Sequence, residues 1–100
     1  MKVLFCDLKF DYGKEKNGPN FIGNAFRDAI VANGHEISTF YYDEYLIGQQ
    51  PSDKLQVDLL DFAASNEPDL IFFSMFGDQF AYQTLEKLKS KFTTCAWFGD

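Results

Sequence analysis

Hydrophobic and polar residues follow one another in blocks of changing period, and these blocks predict an alternation of strands and helices. Residues 3–6 and 70–73 are continuous apolar runs, which are typical of strands covered on both faces of a parallel sheet. Between such runs, apolar residues recur every three or four positions, as in amphipathic helices. The predicted strands span 3–8, 35–42, 69–74 and 93–98, and the predicted helices span 21–33, 54–65 and 79–91.

This β-α-β-α-β-α-β order predicts an α/β fold. Right-handed crossovers and helices on both faces of the sheet follow from this alternation and give a Rossmann-like, three-layer α/β/α domain over residues 1–100. We predict a four-stranded parallel sheet in the order 2-1-3-4. In such open sheets, ligands bind at the carboxyl edge where the strand order changes direction, here between the first and third strands.

The fourth predicted strand has no helix after it. One of its faces is therefore expected to lie bare unless more chain or another subunit covers it. We accordingly expect a truncated chain, the N-terminal piece of a larger enzyme, or a homo-oligomer formed through this strand. A small domain that simply ends there is the alternative.

The segment 9–20, between the first strand and the first helix, is the first candidate binding site. It is longer than the usual βα connection, and glycines at a strand exit let the backbone approach a ligand. Its spacing matches neither GxGxxG nor a Walker A loop, so a surface loop with turn glycines is an equal alternative. The candidate residues are Asp11, Tyr12, Gly13, Gly18 and Asn20, of which Asn20 is also a predicted N-cap.

The tripeptide Phe-Gly-Asp occurs twice, at residues 76–78 and 98–100, each time after a predicted strand. Glycine opens space at a strand exit, and aspartate can accept a hydrogen bond from a sugar hydroxyl. An N-cap role for Asp78 is at least as plausible. The second group of substrate-binding candidates is therefore Phe76, Gly77, Asp78, Gly99 and Asp100.

Composition narrows the classes of partner. The net charge of −6, with 9 basic against 15 acidic residues, argues against binding of nucleic acid, which requires clustered Lys and Arg. Residues 1–5 lack a signal-peptide pattern, and no apolar run is long enough to span a membrane, so we expect a cytoplasmic protein. Twelve Phe and five Tyr can fill a core or supply an exposed binding surface.

Reactive and metal-binding motifs are not recognisable in the sequence. Cys6 and Cys95 lie in apolar runs and are expected to be reduced and buried, and the single His35 gives no zinc spacing. We therefore predict neither a metal nor a cofactor. Asp7, near the end of the first strand, is either buried or faces a ligand, and the sequence shows no obvious cation beside it.

The sequence resembles the N-terminal domain of bacterial GT-B glycosyltransferases similar to the spore maturation protein CgeB. The likeness covers nearly the whole chain, and the Trp-Phe-Gly-Asp ending is its most specific part. It is carried by the long first loop followed by Asn24-Ala25-Phe26, by Gly34-His35-Glu36-Ile37, and by residues 68–73 followed later by Ala96-Trp97-Phe98-Gly99-Asp100.

This resemblance implies half of an enzyme. In GT-B glycosyltransferases the N-terminal domain mainly holds the acceptor substrate, a second Rossmann-like domain mainly holds the nucleotide sugar, and transfer needs no bound metal. The catalytic residues do not map onto this sequence, and the chain alone is expected to be inactive.

Two other classes of function compete with this interpretation. A flavodoxin-like or receiver-like module would bind a small ligand or a protein without catalysis, although residues 9–20 contain no Ser or Thr for a flavin phosphate and the third strand does not end in aspartate. A purely structural domain whose exposed aromatic residues dock on a partner is the other alternative.

Overall fold

The fold is an alternation of parallel strands and helices in a computed structural model, which describes residues 1–46 and 52–98. None of the helices in these residues is long and apolar enough to cross a lipid bilayer. In chain order the elements are β1 (Lys2–Asp7), α1 (Phe21–Ala32), β2 (Glu36–Tyr41), α2 (Asp53–Asn66), β3 (Leu70–Met75), α3 (Tyr82–Lys91) and β4 (Thr93–Phe98).

The sheet has the predicted topology. Its order is β2-β1-β3-β4 and all neighbouring strands are parallel, which confirms the α/β, Rossmann-like prediction. The register places Asp7 beside Tyr41 and Ser74 beside Trp97 at the carboxyl edge. Strand exits from distant parts of the sequence therefore lie side by side.

Helices α2 and α3 cover one face of the sheet and enclose the main core. From α2, Leu55, Leu59 and Ala63 are fully buried, as their three- and four-residue spacing predicted. They pack with Leu88 of α3 against alternate residues of the two central strands. Those strand residues are Leu4, Cys6, Ile71 and Phe73.

Helix α1 covers the other face, and its packing there is dominated by aromatic rings. Phe26 makes edge-to-face contacts with Phe5, Phe72 and Trp97, with ring centroids 5.1–6.5 Å apart. No second helix covers β4 on this face within residues 1–46 and 52–98. The expectation that Cys95 is buried is therefore wrong, because its side chain lies on this uncovered part of the sheet.

Candidate functional site

A cavity of about 350 Å³ opens at the carboxyl edge of the sheet, next to the exits of β1, β3 and β4. Its size is typical of pockets that bind small molecules. It lies where the strand order changes direction, as ligand sites do in open α/β sheets. We call it the cleft, and the residues that line it are Leu8, Asp11, Tyr12, Asn20, Ile22, Ser74, Met75, Phe76, Trp97 and Phe98.

The long loop that forms one wall of the cleft is tied down at its base. Residues 9–20 fold back so that Phe10 pairs with Pro19 through an antiparallel bridge. The main-chain N–H groups of Lys9 and Phe10 donate to the Asp43 carboxylate, at 2.7 and 3.0 Å. Asp43 follows β2, so the loop is fixed to a neighbouring strand exit.

Tyr12 presents its ring at the mouth of the cleft from an unusual backbone conformation. Its φ is +54°, in the left-handed region that disfavours side chains, and Gly13 follows with φ +74°. The Tyr12 residue is 56% exposed, and its ring meets Phe76 edge-to-face with centroids 5.9 Å apart. A left-handed non-glycine residue costs about 1–3 kcal/mol, and residues with such strain are enriched at functional sites.

Asp7, at the end of β1, lies directly behind the cleft and is 1% exposed. Its Oδ1 accepts a hydrogen bond from Asn20 Nδ2 at 3.1 Å. Its Oδ2 has no hydrogen-bond partner in the described residues, and Arg27 Nη2 lies 3.8 Å away. Burial raises the pKa of this carboxyl, while hydrogen bonding and the Arg27 guanidinium act in the opposite direction.

Asn20 joins Asp7 to the start of α1. Its Oδ1 accepts from the N–H of Gly23 at 3.1 Å, which confirms the predicted N-cap. Its Nδ2 donates to Leu8 O at 2.8 Å as well as to Asp7, so both amide hydrogens are used within the protein. Asn20 therefore orients the helix and has little capacity left to donate to a ligand.

The spacing of Asn20, Gly23 and Arg27 explains how Asp7 acquires its partners. These residues are three and four positions apart and lie on one face of α1. A Cβ at position 23 would collide with Asp7 Oδ2 and Asn20 Nδ2, so glycine is required for this close approach. The sequence showed no obvious cation near Asp7. In the structure that cation is Arg27, which lies twenty residues later on α1 and approaches Asp7 because α1 packs against the sheet.

The arrangement places a carboxylate at the N-terminus of α1. In phosphate-binding α/β folds the first helix N-terminus is where the ligand phosphate lies, because free N–H groups and the helix dipole attract an anion. Here the Asp7 carboxyl lies beside Gly23 and Asn20 in that first turn, and Asn20 already accepts from Gly23 N. An anion at this end of α1 would therefore meet a carboxyl group and a helix N–H that is already bonded to Asn20.

The predicted site residues divide into three groups. Asp11, Tyr12, Asn20 and Phe76 all line the cleft, although they come from two separate loops. A second group does not line it: Gly13, Gly18, Gly77 and Asp78. Gly99 and Asp100 lie outside the described residues.

Asp78 does not cap α3 either. The N-cap of that helix is Ala81, which has no side-chain oxygen for the role. Asp78 itself is exposed in the turn before it.

Sequence reasoning missed Ser74 and Trp97 as cleft residues. The signal for them was the predicted parallel pairing of the third and fourth strands, which sets Ser74 beside Trp97 at the edge where ligands bind. The described residues contain no cluster of three or more His, Cys, Asp or Glu side chains arranged to hold a metal ion.

Comparisons with known proteins do not identify the chain: no protein-family model matches it, and the curated proteins and solved structures gave no match.

Proposed function

We propose that this chain is the N-terminal, acceptor-side domain of a GT-B glycosyltransferase similar to the CgeB-like enzymes. The sequence resemblance suggests the family, and the parallel β2-β1-β3-β4 sheet is compatible with it. The observation that carries the acceptor-side assignment is the buried Asp7 beside the first turn of α1, the end of the helix that a phosphate would otherwise approach.

Electrostatics support the acceptor role over the donor role. A nucleotide sugar carries a diphosphate, which is bound by helix N-termini and basic side chains. The cleft has Asp11 in its lining and Asp7 behind it, and none of its lining residues is Lys or Arg. The cleft therefore suits an uncharged acceptor better than the diphosphate of a donor.

In the proposed reaction, an acceptor hydroxyl gives its proton to a general base of the complete enzyme while its oxygen forms a bond to the anomeric carbon of the donor sugar. The bond from that carbon to the phosphate oxygen breaks, and the nucleoside diphosphate leaves with the electron pair. Stabilising this leaving group requires electrostatic preorganisation, which the donor-binding domain would supply. The 100-residue chain by itself should therefore bind the acceptor without catalysing transfer. We propose that the complete enzyme acts in the cytoplasm.

The test is to read the gene beyond the codon for Asp100 and express the complete reading frame. We expect a second Rossmann-like domain and release of nucleoside diphosphate from one of a panel of UDP-, GDP- and TDP-sugars. The 100-residue chain, assayed in parallel, is the matched control and should release none. A stop codon directly after Asp100, or no release by the complete protein with any donor, would contradict the proposal.

The purified 100-residue chain can also be used to test the non-catalytic alternatives. β3 ends in Ser74-Met75, without the phosphoacceptor aspartate of a receiver, and residues 9–20 offer no Ser or Thr to a flavin phosphate. Incubation with FMN and with acetyl phosphate should therefore leave the chain unmodified. Uptake of either compound would favour a flavodoxin-like or receiver-like module.

We also propose that the isolated chain associates with a second copy through β4. The strand is at one edge of the sheet, and Thr93–Phe98 contains no charged residue and no proline to discourage pairing. Two copies related by a two-fold axis can pair such edges with each other. Self-association should therefore depend on the chemistry of this strand.

A further inference from the structure

We infer that the cleft binds a neutral carbohydrate, with a sugar ring stacked on its aromatic side chains and sugar hydroxyls bonded to the Asp11 carboxylate. The inference deepens the proposed function, because it names the chemical class of the acceptor. It is carried by the aromatic lining, by the Asp11 carboxylate and by the absence of basic residues from the lining.

The aromatic side chains of the cleft are more exposed than a structural role requires. Phe98 is 77% exposed and Tyr12 is 56% exposed, although both are large and largely apolar. Phe76 and Trp97 complete the set around the same cavity. The C–H face of a pyranose is apolar and flat. Stacking of this face on the exposed rings removes apolar surface from water, which favours binding.

The conformation of Tyr12 adds an independent argument. A left-handed φ of +54° is unfavourable for tyrosine, and glycine would adopt it without penalty. The Phe76 ring contacts the Tyr12 ring from one side, and more than half of Tyr12 remains open to solvent. The loop therefore holds an aromatic ring at the cleft mouth at a conformational cost. Stacking of this ring on a ligand would explain why tyrosine, and not glycine, stands at this position.

Hydrogen-bonding capacity in the cleft suits hydroxyl groups. Asp11 makes hydrogen bonds through its main chain, where its N–H donates to Gly18 O and its carbonyl accepts from Asn17 and Lys14. Its carboxylate, on the exposed loop, can accept from two neighbouring hydroxyls, since each oxygen has its own lone pairs. The Ser74 hydroxyl, which donates to the Asp7 carboxyl, adds oxygen lone pairs that can accept from a further sugar hydroxyl.

Charge excludes phosphate-bearing ligands from the same position. The cleft lining contains Asp11 and neither Lys nor Arg, and the Asp7 carboxyl lies beside the first turn of α1. A sugar phosphate or nucleotide would therefore place its negative charge beside the Asp11 carboxylate with no Lys or Arg in the lining to compensate it. A neutral glycan has hydroxyls for the acceptors and an apolar face for the rings.

The test uses Trp97 as a reporter, because it is the only tryptophan in the chain and lines the cleft. The purified chain is titrated with methyl glucopyranoside, methyl galactopyranoside, N-acetylglucosamine, maltose and cellobiose. Glucose 1-phosphate, UMP and UDP-glucose form the charged set. We expect at least one neutral sugar to change Trp97 emission saturably, with affinity at least about tenfold higher than any charged compound.

Two variants locate the binding. Tyr12→Gly keeps the left-handed backbone and removes the ring, so it should fold normally and weaken sugar binding about tenfold. Asp11→Asn should weaken it severalfold by removing a charged acceptor. The matched controls are Tyr82→Ala, a 73% exposed tyrosine on α3, and Asp61→Asn on the exposed surface of α2; both should bind as the parent chain does.

The outcomes separate this inference from the proposed function. Binding of a charged compound in preference to every neutral sugar, or equal losses in Tyr12→Gly and Tyr82→Ala, would overturn the inference. Nucleoside diphosphate release by the complete protein with a charged or non-carbohydrate acceptor would leave the glycosyltransferase proposal standing. Sugar binding in the cleft without any release by the complete protein would support the inference and remove the proposed function.

Discussion

At the residue scale, the chain concentrates its unusual chemistry around Asp7. The sequence alone predicted an N-cap at Asn20 and a carboxylate at the first strand end, because both follow from local patterns. The pairing of Asp7 with Arg27 could not be predicted, since it depends on how α1 is rotated against the sheet. The need for glycine at position 23 was equally hidden, because it arises from a close approach between two elements.

The first prediction concerns Gly23→Ala. In a free helix alanine would be favoured by about 1 kcal/mol, but here the added methyl collides with Asp7 and the capping Asn20. Overpacking typically costs ~1–3 kcal/mol and a lost cap ~1 kcal/mol, so we expect a net loss of about 2 kcal/mol. Urea unfolding followed by circular dichroism measures it.

A double-mutant cycle tests the cause of this loss. In an Asp7→Ala background the colliding carboxylate is gone, and Gly23→Ala should then cost much less or become favourable. Equal costs of Gly23→Ala in the two backgrounds would show that contact with Asp7 is not responsible. Asp28→Ala, on the exposed surface of α1, controls for helix propensity alone.

The second prediction follows from the raised pKa of Asp7, which results mainly from burial. A raised pKa means that the folded chain holds this proton more tightly than the unfolded chain does. The contribution of Asp7 to the free energy of unfolding is therefore fully present below its unfolded pKa and is lost as pH rises through the folded pKa. Each unit of pKa difference corresponds to about 1.4 kcal/mol.

Unfolding measured between about pH 4 and about pH 7 should reveal this term by comparison with Asp7→Asn, which cannot titrate. The parent chain should gain stability relative to Asp7→Asn as pH falls through the window. Asp58→Asn is the control, because hydrogen bonding to Lys54 lowers the pKa of Asp58 and its effect lies below the window. Parallel pH profiles for the parent chain and Asp7→Asn would count against a raised pKa.

At the element scale, periodicity predicted the strands well and the start of one helix poorly. Strand β4 spans Thr93–Phe98 as predicted, and β1 and β3 are each shifted by one residue. Helix α3 begins at Tyr82 and not at residue 79. The reason is the turn between β3 and α3, where Phe80 is buried against Tyr42 and Phe73, a tertiary contact that local sequence does not encode.

The third prediction uses the weak start of α3. Its N-cap, Ala81, has an extended backbone suited to a capping side chain but no oxygen to accept a hydrogen bond. Ala81→Ser should stabilise the chain by ~0.5–1 kcal/mol, measured as a higher urea midpoint with unchanged slope. The same change at the exposed Ala64 inside α2 should be neutral or destabilising, and a gain there equal to that at Ala81 would rule out capping as the cause.

At the scale of the whole molecule, the strand order and the face that each helix covers could be predicted, but the extent of that coverage over β4 could not. In the order 2-1-3-4, right-handed crossovers place α1 on one face of the sheet and α2 and α3 on the other. The exposure of Cys95 reflects which face each helix covers and how far it extends. The cleft has the same origin, because its aromatic lining is gathered from strand exits that are distant in sequence.

The fourth prediction concerns association of two chains through β4. Two lysine substitutions test it, one on β4 and one elsewhere on the surface. Ala96→Lys places a cation on the uncharged edge strand, where pairing about a two-fold axis would bring two lysines together. Val57→Lys adds the same charge at a 56% exposed site on α2, away from the edge. By sedimentation velocity, the parent and Val57→Lys should be dimers at concentrations where Ala96→Lys is a monomer. A monomeric parent chain would show that the isolated chain does not associate. Dimers of all three proteins would exclude β4 as the contact, because Ala96→Lys is the only substitution on that strand.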